Sequence, residues 1–291
     1  MTAPSLHTVE TPSGKDAAYE NFPVGSWLLP AKLRPHIAVF YAYARAIDDI
    51  ADNPALAPEE KIRRLDLFED GLLGRRDDPS LATAARMRRS LAETGIKPDH
   101  CLDLIKAFKQ DATKLRYRDW DDLMGYCILS AAPVGRYLLD LHGGSRDGYG
   151  PADALCMALQ VINHLQDCKD DCVLLDRVYL PQDWMREAGA TIDDLRGTRA
   201  SPALRTVLDR TLRSTEGLMI LARYLPAGLA SNRLAMESAA IVRIADRLIR
   251  LLSARDPLAA RVKLSKPQFL WCCLQGVRAV GRTMLGWRAS I

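Results

Sequence analysis

The chain has 291 residues, 48% of them apolar, with 40 basic and 36 acidic side chains and a net charge of +4. That is ample for a real core, and the basic residues are dispersed, with no run suited to nucleic acid. No uninterrupted apolar stretch approaches the roughly 18 residues that a membrane-spanning helix needs.

Residues 1–19 are polar and rich in small side chains, without the apolar segment of a secretory signal, and read as a disordered tail before a single domain at 20–291. Beyond the tail, apolar residues recur at three and four. The pattern predicts helices over 32–52, 58–73, 79–94, 98–115, 119–141, 151–173, 201–224, 232–253 and 266–287. Loops are expected at Asn53 and Pro54, at Gly95, and over 142–150 and 176–181. Alternating β-branched runs are scarce, and no linker or repeat divides the chain, so the expected class is all-α. The glycine-rich 142–150 segment does not follow a strand, so it reads as a helix–helix loop and not a dinucleotide fingerprint. The seven cysteines form no C-x-x-C pair and suit buried free thiols in a reducing cytosol. Cys168 and Cys172, four apart, lack the further ligands of a zinc site.

Two of these helices carry matching polar stripes. In FYAYARAIDDIAD, Tyr41, Arg45, Asp48 and Asp52 fall at offsets 0, 4, 7 and 11; in ALQVINHLQDCKDD, Gln160, Asn163, Asp167 and Asp171 fall at 0, 3, 7 and 11. Each set lies along one helix face, with mostly apolar residues between. Buried carboxylates at like-charge spacing are costly unless cations compensate. Two facing stripes would therefore cage divalent metal ions and a polyanion. The pairs Asp66/Asp70 and Asp99/Asp103 share the spacing but sit among charged neighbours and read as solvated faces.

Magnesium favours carboxylate, water and phosphate oxygens, and its Lewis acidity neutralises a departing diphosphate. Asp48, Asp52, Asn163, Asp167 and Asp171 are the candidate ligands, against structural ion pairs as the alternative. Asp49 turns toward another face. Arg45 is a candidate phosphate contact, or pairs within its own helix with Asp48 or Asp49. Gln160 and Asn163 would position metal, water or substrate. Tyr41 and Tyr179 divide between site contacts and core hydrogen bonds. An apolar cavity beneath such a cage would shelter a hydrocarbon tail and a cation, which is the logic of an enzyme that ionises a prenyl diphosphate.

These residues resemble the squalene/phytoene synthase family of head-to-head isoprenyl diphosphate enzymes over about residues 20–285. Asp48, Asp49 and Asp52, preceded by Tyr41 and Arg45, resemble its first aspartate-rich motif; Gln160, Asn163, Asp167 and Asp171 resemble its second. Arg177, Tyr179, Leu180 and Pro181 are similar to the R-x-Y-L-P segment, and Tyr126, Cys127, Ala131, Val134 and Gly135 to the Y-C-x-x-x-A-x-x-V-G helix. The resemblance implies an isoprenoid synthase helical bundle around a central cavity. It also implies several Mg²⁺ ions, no nicotinamide or flavin, catalytic roles for the four aspartates with Tyr41 and Tyr179, and diphosphate contacts from Ser26, Arg45, Gln160, Asn163 and Arg177. Ser26 is alternatively a helix cap, and Phe22 and Trp27 are read as packing.

The segments ENFPVGSWLLP and ALQVINHLQDCKDD are similar to the hydroxysqualene-forming branch, which takes presqualene diphosphate and water to hydroxysqualene and diphosphate in the hopanoid route. Ile128 and Gln166 depart from the general family pattern, where an aromatic residue and an arginine are common. The rivals are a condensing prenyltransferase making presqualene diphosphate, dehydrosqualene or phytoene, and a non-catalytic scaffold, against which the intact motifs argue. A cytoplasmic protein is expected, with other enzymes of the squalene route as partners. Its segment FLWCCLQGVRAVGRTMLGWRAS mixes apolar residues with Arg278, Arg282 and Arg288, and reads either as a helix docked on the bundle or as a peripheral membrane contact.

Overall fold

The computed structural model describes residues 9–10 and 28–288, with side chains as far as 281. The expectations for Phe22, Ser26 and Trp27 lie outside the described residues. Of the segment 1–19, the two described residues are held in place. Val9 is buried and its carbonyl accepts from Arg64, while Glu10 accepts from the Thr83 amide.

The first stripe lies on α1 (Arg34–Ala51), which starts at Pro35 and buries Ile37, Phe40, Tyr43, Ile47 and Ile50. That spacing is one helical face, and it packs on α2 (Pro58–Leu73), α3 (Ala82–Thr94) and α4 (Asp99–Asp111). Phe40 stacks on Tyr137 at 4.0 Å between ring centroids. The helix expected over 79–94 opens with a 3₁₀ turn, Pro79–Leu81, before α3. α4 ends at Asp111, short of the expected residue 115.

The helix expected over 119–141 is two, α5 (Trp120–Ser130) and α6 (Ala132–Leu141). Pro133 lies in the first turn of α6, and Ala131 leaves helical geometry at φ −121°, ψ −46°. Proline cannot donate to the preceding turn and clashes with it, so a new helix starts there. α7 (Tyr149–Leu175), 27 residues and so about 40 Å long, carries the second stripe. It is the central rod: α5, α6, α9 (Ile192–Arg196), α10 (Pro202–Ala222) and α11 (Asn232–Ala254) all pack on it.

Residues 176–181 are not the plain loop expected. Val178–Pro181 forms β2, parallel to β1 at Arg116–Tyr117 just after α4, before the short helix α8 (Gln182–Ala188). This small pairing ties the end of α7 to the end of α4, with the Val178 amide bonded to the Leu115 carbonyl at 3.0 Å. Arg177 and Tyr179, two apart, thereby point the same way. α12 (Lys266–Arg288) packs along α11, where Gly276 lies so close that an added Cβ would come 2.4 Å from the Ala240 nitrogen.

Apart from these two short strands the described chain is helical, an all-α bundle. All seven cysteines are free. Burial pushes the Cys168 thiol up to about 12.

Candidate active site

The two stripes meet through one buried polar cluster at the C-terminal ends of α1 and α4. Arg177, 4% exposed, directs three nitrogens at three acceptors. Its guanidinium donates to the Asp52 carboxylate at 2.5 Å, to the Ala51 carbonyl at 2.7 Å, and to the Asp111 carbonyl at 3.1 Å. Both helix ends present carbonyls with no partner in their own helix, and a cation there also meets the negative end of the helix dipole. Burial opposes the charge on Arg177, but Tyr179, Asp111 and Asp52 outweigh it and hold the group protonated. Arg177, the expected diphosphate contact, has these nitrogens bonded to the protein, just before β2, between the two helix ends.

Asp111, on α4, is the centre of the cluster. Tyr126 donates to one carboxyl oxygen at 2.7 Å and Tyr179 to the other at 2.8 Å. Burial pushes its carboxyl up to about 6, while Arg177 and the two tyrosine hydroxyls pull it down. Tyr179 is thus a core hydrogen-bond donor, one of the two roles the sequence left open. Its ring stacks on His164 of α7, 3.6 Å between centroids and 12° between planes.

His164 carries the network to the second stripe. Its Nε2 lies 3.2 Å from the Gln160 amide nitrogen, and its Nδ1 lies 3.9 Å from the Asp171 carboxylate. Burial lowers it to about 4, against the pull of Asp111, Asp167 and Asp52. Asp52, capping the end of α1, and Asp167 on α7 therefore both act on one imidazole. The chain of contacts Asp52, Arg177, Asp111, Tyr179, His164, Asp171 is continuous, so the two acidic motifs converge at one end of the bundle.

Beside this cluster, Asp48 pairs with Arg45 at 2.7 Å, as the internal alternative for Arg45 required, and the Arg45 guanidinium lies 5.9 Å from the Tyr41 ring centroid. The Asp48 side chain is 29% exposed. Burial raises its carboxyl well above the usual carboxylate range, Asp52 adds to this, and Arg45 works against it. Asp167 is raised by burial too, and Asp171 adds to that, while Arg261 counters it. Arg261 grips Asp167 with two nitrogens at 2.8 and 2.9 Å. Asn163 and Gln160 lie half-buried on the same face of α7. Asp49 is buried, off the face shared by Asp48 and Asp52.

The donors suit magnesium in kind, being carboxylate and amide oxygens. Among the described residues, however, no group of three or more His, Cys, Asp or Glu side chains is poised to hold a metal ion. Gln166, at the departure from the family pattern, is buried and donates to the Val262 carbonyl at 2.5 Å. Among the described residues a recess lies away from the two motifs. That recess, of about 570 Å³, lies at the opposite end of α4, lined by His100, Arg136, Asp140 and Tyr149 among others.

Sequence reasoning missed Asp111, His164 and Arg261. His164 was findable, because it falls at offset 4 from Gln160 on the face already singled out. Asp111 and Arg261 gave no signal, since neither falls on a polar stripe or in a motif.

An all-α bundle that brings two aspartate motifs together at one end suits an enzyme acting on prenyl diphosphates. The squalene/phytoene synthase family model matches residues 16–268, and the chain belongs to that family. It is 46% identical over 261 residues to the hydroxysqualene synthase of Rhodopseudomonas palustris, spanning 90% of this chain and 89% of that one. It is 40% identical over 283 residues to the hydroxysqualene synthase of Zymomonas mobilis, spanning 97% and 94%. Among solved structures, the squalene synthase HpnC from Alicyclobacillus acidocaldarius superposes with a TM-score of 0.68 at 31% identity, covering 78% of this chain and 85% of that one.

Proposed function

We propose that the protein converts presqualene diphosphate and water to hydroxysqualene and diphosphate, with magnesium. The observation that carries the reading is the junction of the motifs, where Asp52 of α1 and His164 with Asp171 of α7 share the Arg177–Asp111–Tyr179 cluster. The choice of product rests on the likeness to relatives that carry the name hydroxysqualene synthase.

In this reading Asp48, Asp52, Asp167 and Asp171, with Asn163, are the residues that would hold magnesium ions. Those ions supply charge neutralisation for the leaving diphosphate. The chain does the rest. Arg177 fixes where Asp52 sits, because its guanidinium is anchored on two carbonyls. Arg45 and Arg261, each paired with an aspartate of the motifs, are the cations that would contact phosphate oxygen. As the carbon–oxygen bond breaks, its electron pair leaves with diphosphate. The cyclopropylcarbinyl cation rearranges by ring opening, a water oxygen bonds to the cationic carbon, and a proton is lost. The mass balance is one water consumed per diphosphate released.

Incubation with presqualene diphosphate and Mg²⁺ in H₂¹⁸O tests this by mass spectrometry. Hydroxysqualene carrying ¹⁸O is the expected product. Formation of presqualene diphosphate, dehydrosqualene or phytoene from farnesyl or geranylgeranyl diphosphate, with no turnover of presqualene diphosphate, would refute it.

A further inference from the structure

We propose that the exposed face of α12 is a docking surface for a bilayer rich in anionic lipid, set beside the acid-lined site. Leu270, Trp271 and Leu274 are 60%, 54% and 43% exposed. Cys272 and Gly276 are buried, on the side that packs against α11. The helix is therefore anchored by one face and turns a cluster of large apolar side chains outward.

The charge around this strip selects the occupant. Lys263, Lys266 and Arg278 flank it along the chain, all exposed. Arg243 and Arg250 are exposed on the adjoining α11, and both act on the Cys272 thiol, which places them against α12. The neighbouring acids are withdrawn, Asp246 into a pair with Arg223 at 2.7 Å and Glu237 into the interior. An apolar strip inside a cationic rim matches a negative headgroup layer over acyl chains. A second copy of this chain would set the same cations against each other. Among the described residues no helix is long and apolar enough to cross a membrane, so the contact is peripheral.

Location gives the surface a use. The segment entering α12 is fastened to the second motif by Arg261 on Asp167 and by Gln166 on the Val262 carbonyl. A very apolar substrate or product could then pass between bilayer and site without crossing bulk water. Only this last consequence rests on the proposed function.

The test is co-sedimentation of the full chain with vesicles of phosphatidylcholine alone, or of phosphatidylcholine with phosphatidylglycerol. The chain is expected to pellet with the anionic vesicles at low salt, to release as NaCl rises, and to stay in solution with the neutral ones. Trp271→Glu with Leu274→Glu should weaken anionic-vesicle binding about tenfold or more, from the lost apolar burial and the added charge. Arg243→Glu with Arg250→Glu should weaken it comparably, and this pair decides the matter if the first melts early. Turnover of detergent-dispersed presqualene diphosphate should be unchanged in both variants. Absence of that turnover in the wild type would fault the functional reading and leave the vesicle result standing. Failure of the wild type to pellet, equal binding to neutral vesicles, or binding indifferent to both variants would overturn the proposal. So would a dimer in sedimentation velocity that Trp271→Glu dissolves.

Discussion

Arg177→Met is the perturbation that separates a buried clamp from a diphosphate ligand. The arginine makes three bonds, but their losses differ. The Ala51 carbonyl keeps a second donor, Lys61 Nζ at 2.7 Å, so its loss is close to the net value of one hydrogen bond, about 1 kcal/mol. The Asp111 carbonyl loses its arginine donor inside the protein, at about 1–3 kcal/mol. The Asp52 side chain is 32% exposed, and solvent screening holds its share to about 1 kcal/mol or less. The Asp111 carboxyl also loses the cation that lowers it. Together the substitution should cost about 3–4 kcal/mol, which for a chain of this size lowers the melting midpoint by roughly 5–7 °C. Arg177→Lys keeps the charge but offers a single ammonium to acceptors on two helices, and should fall between. Thermal melts followed by circular dichroism, paired with kcat and KM on presqualene diphosphate, read both axes. A methionine variant melting within about 2 °C of wild type while kcat/KM collapses would refute the clamp and restore Arg177 to the substrate.

Asp111 should leave a signature in the pH dependence of stability. Its folded pKa of about 6 stands above the unfolded value of about 3.9, so folding favours the protonated form. Its contribution is fully present below about pH 4 and is lost as pH rises through 6, about 3 kcal/mol over two pH units. Asp111→Asn should remove that fall when denaturant midpoints at pH 4, 5, 6 and 7 are compared with wild type, and parallel curves would contradict it. Asp48→Asn with Asp167→Asn should lower kcat about 10³-fold or more, since several kcal/mol of leaving-group stabilisation is at stake, with the circular dichroism spectrum unchanged; a rate within tenfold of wild type would remove the metal assignment. Gly276→Val should destabilise by about 2 kcal/mol or more, because its Cβ would meet α11 backbone at 2.4 Å; an unchanged melt would mean that α12 shifts freely on α11.

Much of the fold was legible because periodicity is a local property. The stretch around α1 has its apolar residues at helical spacing and a proline at each border, and residues 34–51 form the helix that pattern predicts. Where the reading slipped, the deciding force was either local chemistry overlooked or a distant contact. The break at Ala131 is of the first kind, since Pro133 was in plain view. The β1–β2 pairing is of the second. Residues 116–117 and 178–181 are too short to show alternation, and each becomes a strand only because the other lies beside it.

The site divides along the same line. Helical offsets gave Asp48 with Asp52 and Asp167 with Asp171, because residues on one helix face are bound to be neighbours. Which groups those acids touch across the bundle was not written in any spacing. Arg177 precedes Tyr179 by two, so β geometry aims both at α4; the sequence showed the pair but not the Asp111 that receives them. The same holds for Arg45 and Arg261, which occupy Asp48 and Asp167 as counter-ions. Asp48 and Asp167, two of the carboxylates that a cation-bridged diphosphate would need, are each paired with an arginine that a phosphate could take. Exchanging partners leaves the number of ion pairs nearly constant, so the site can open to a charged ligand without exposing a bare buried acid. That exchange ties the entry segment of α12, through Arg261, to whatever occupies the second motif.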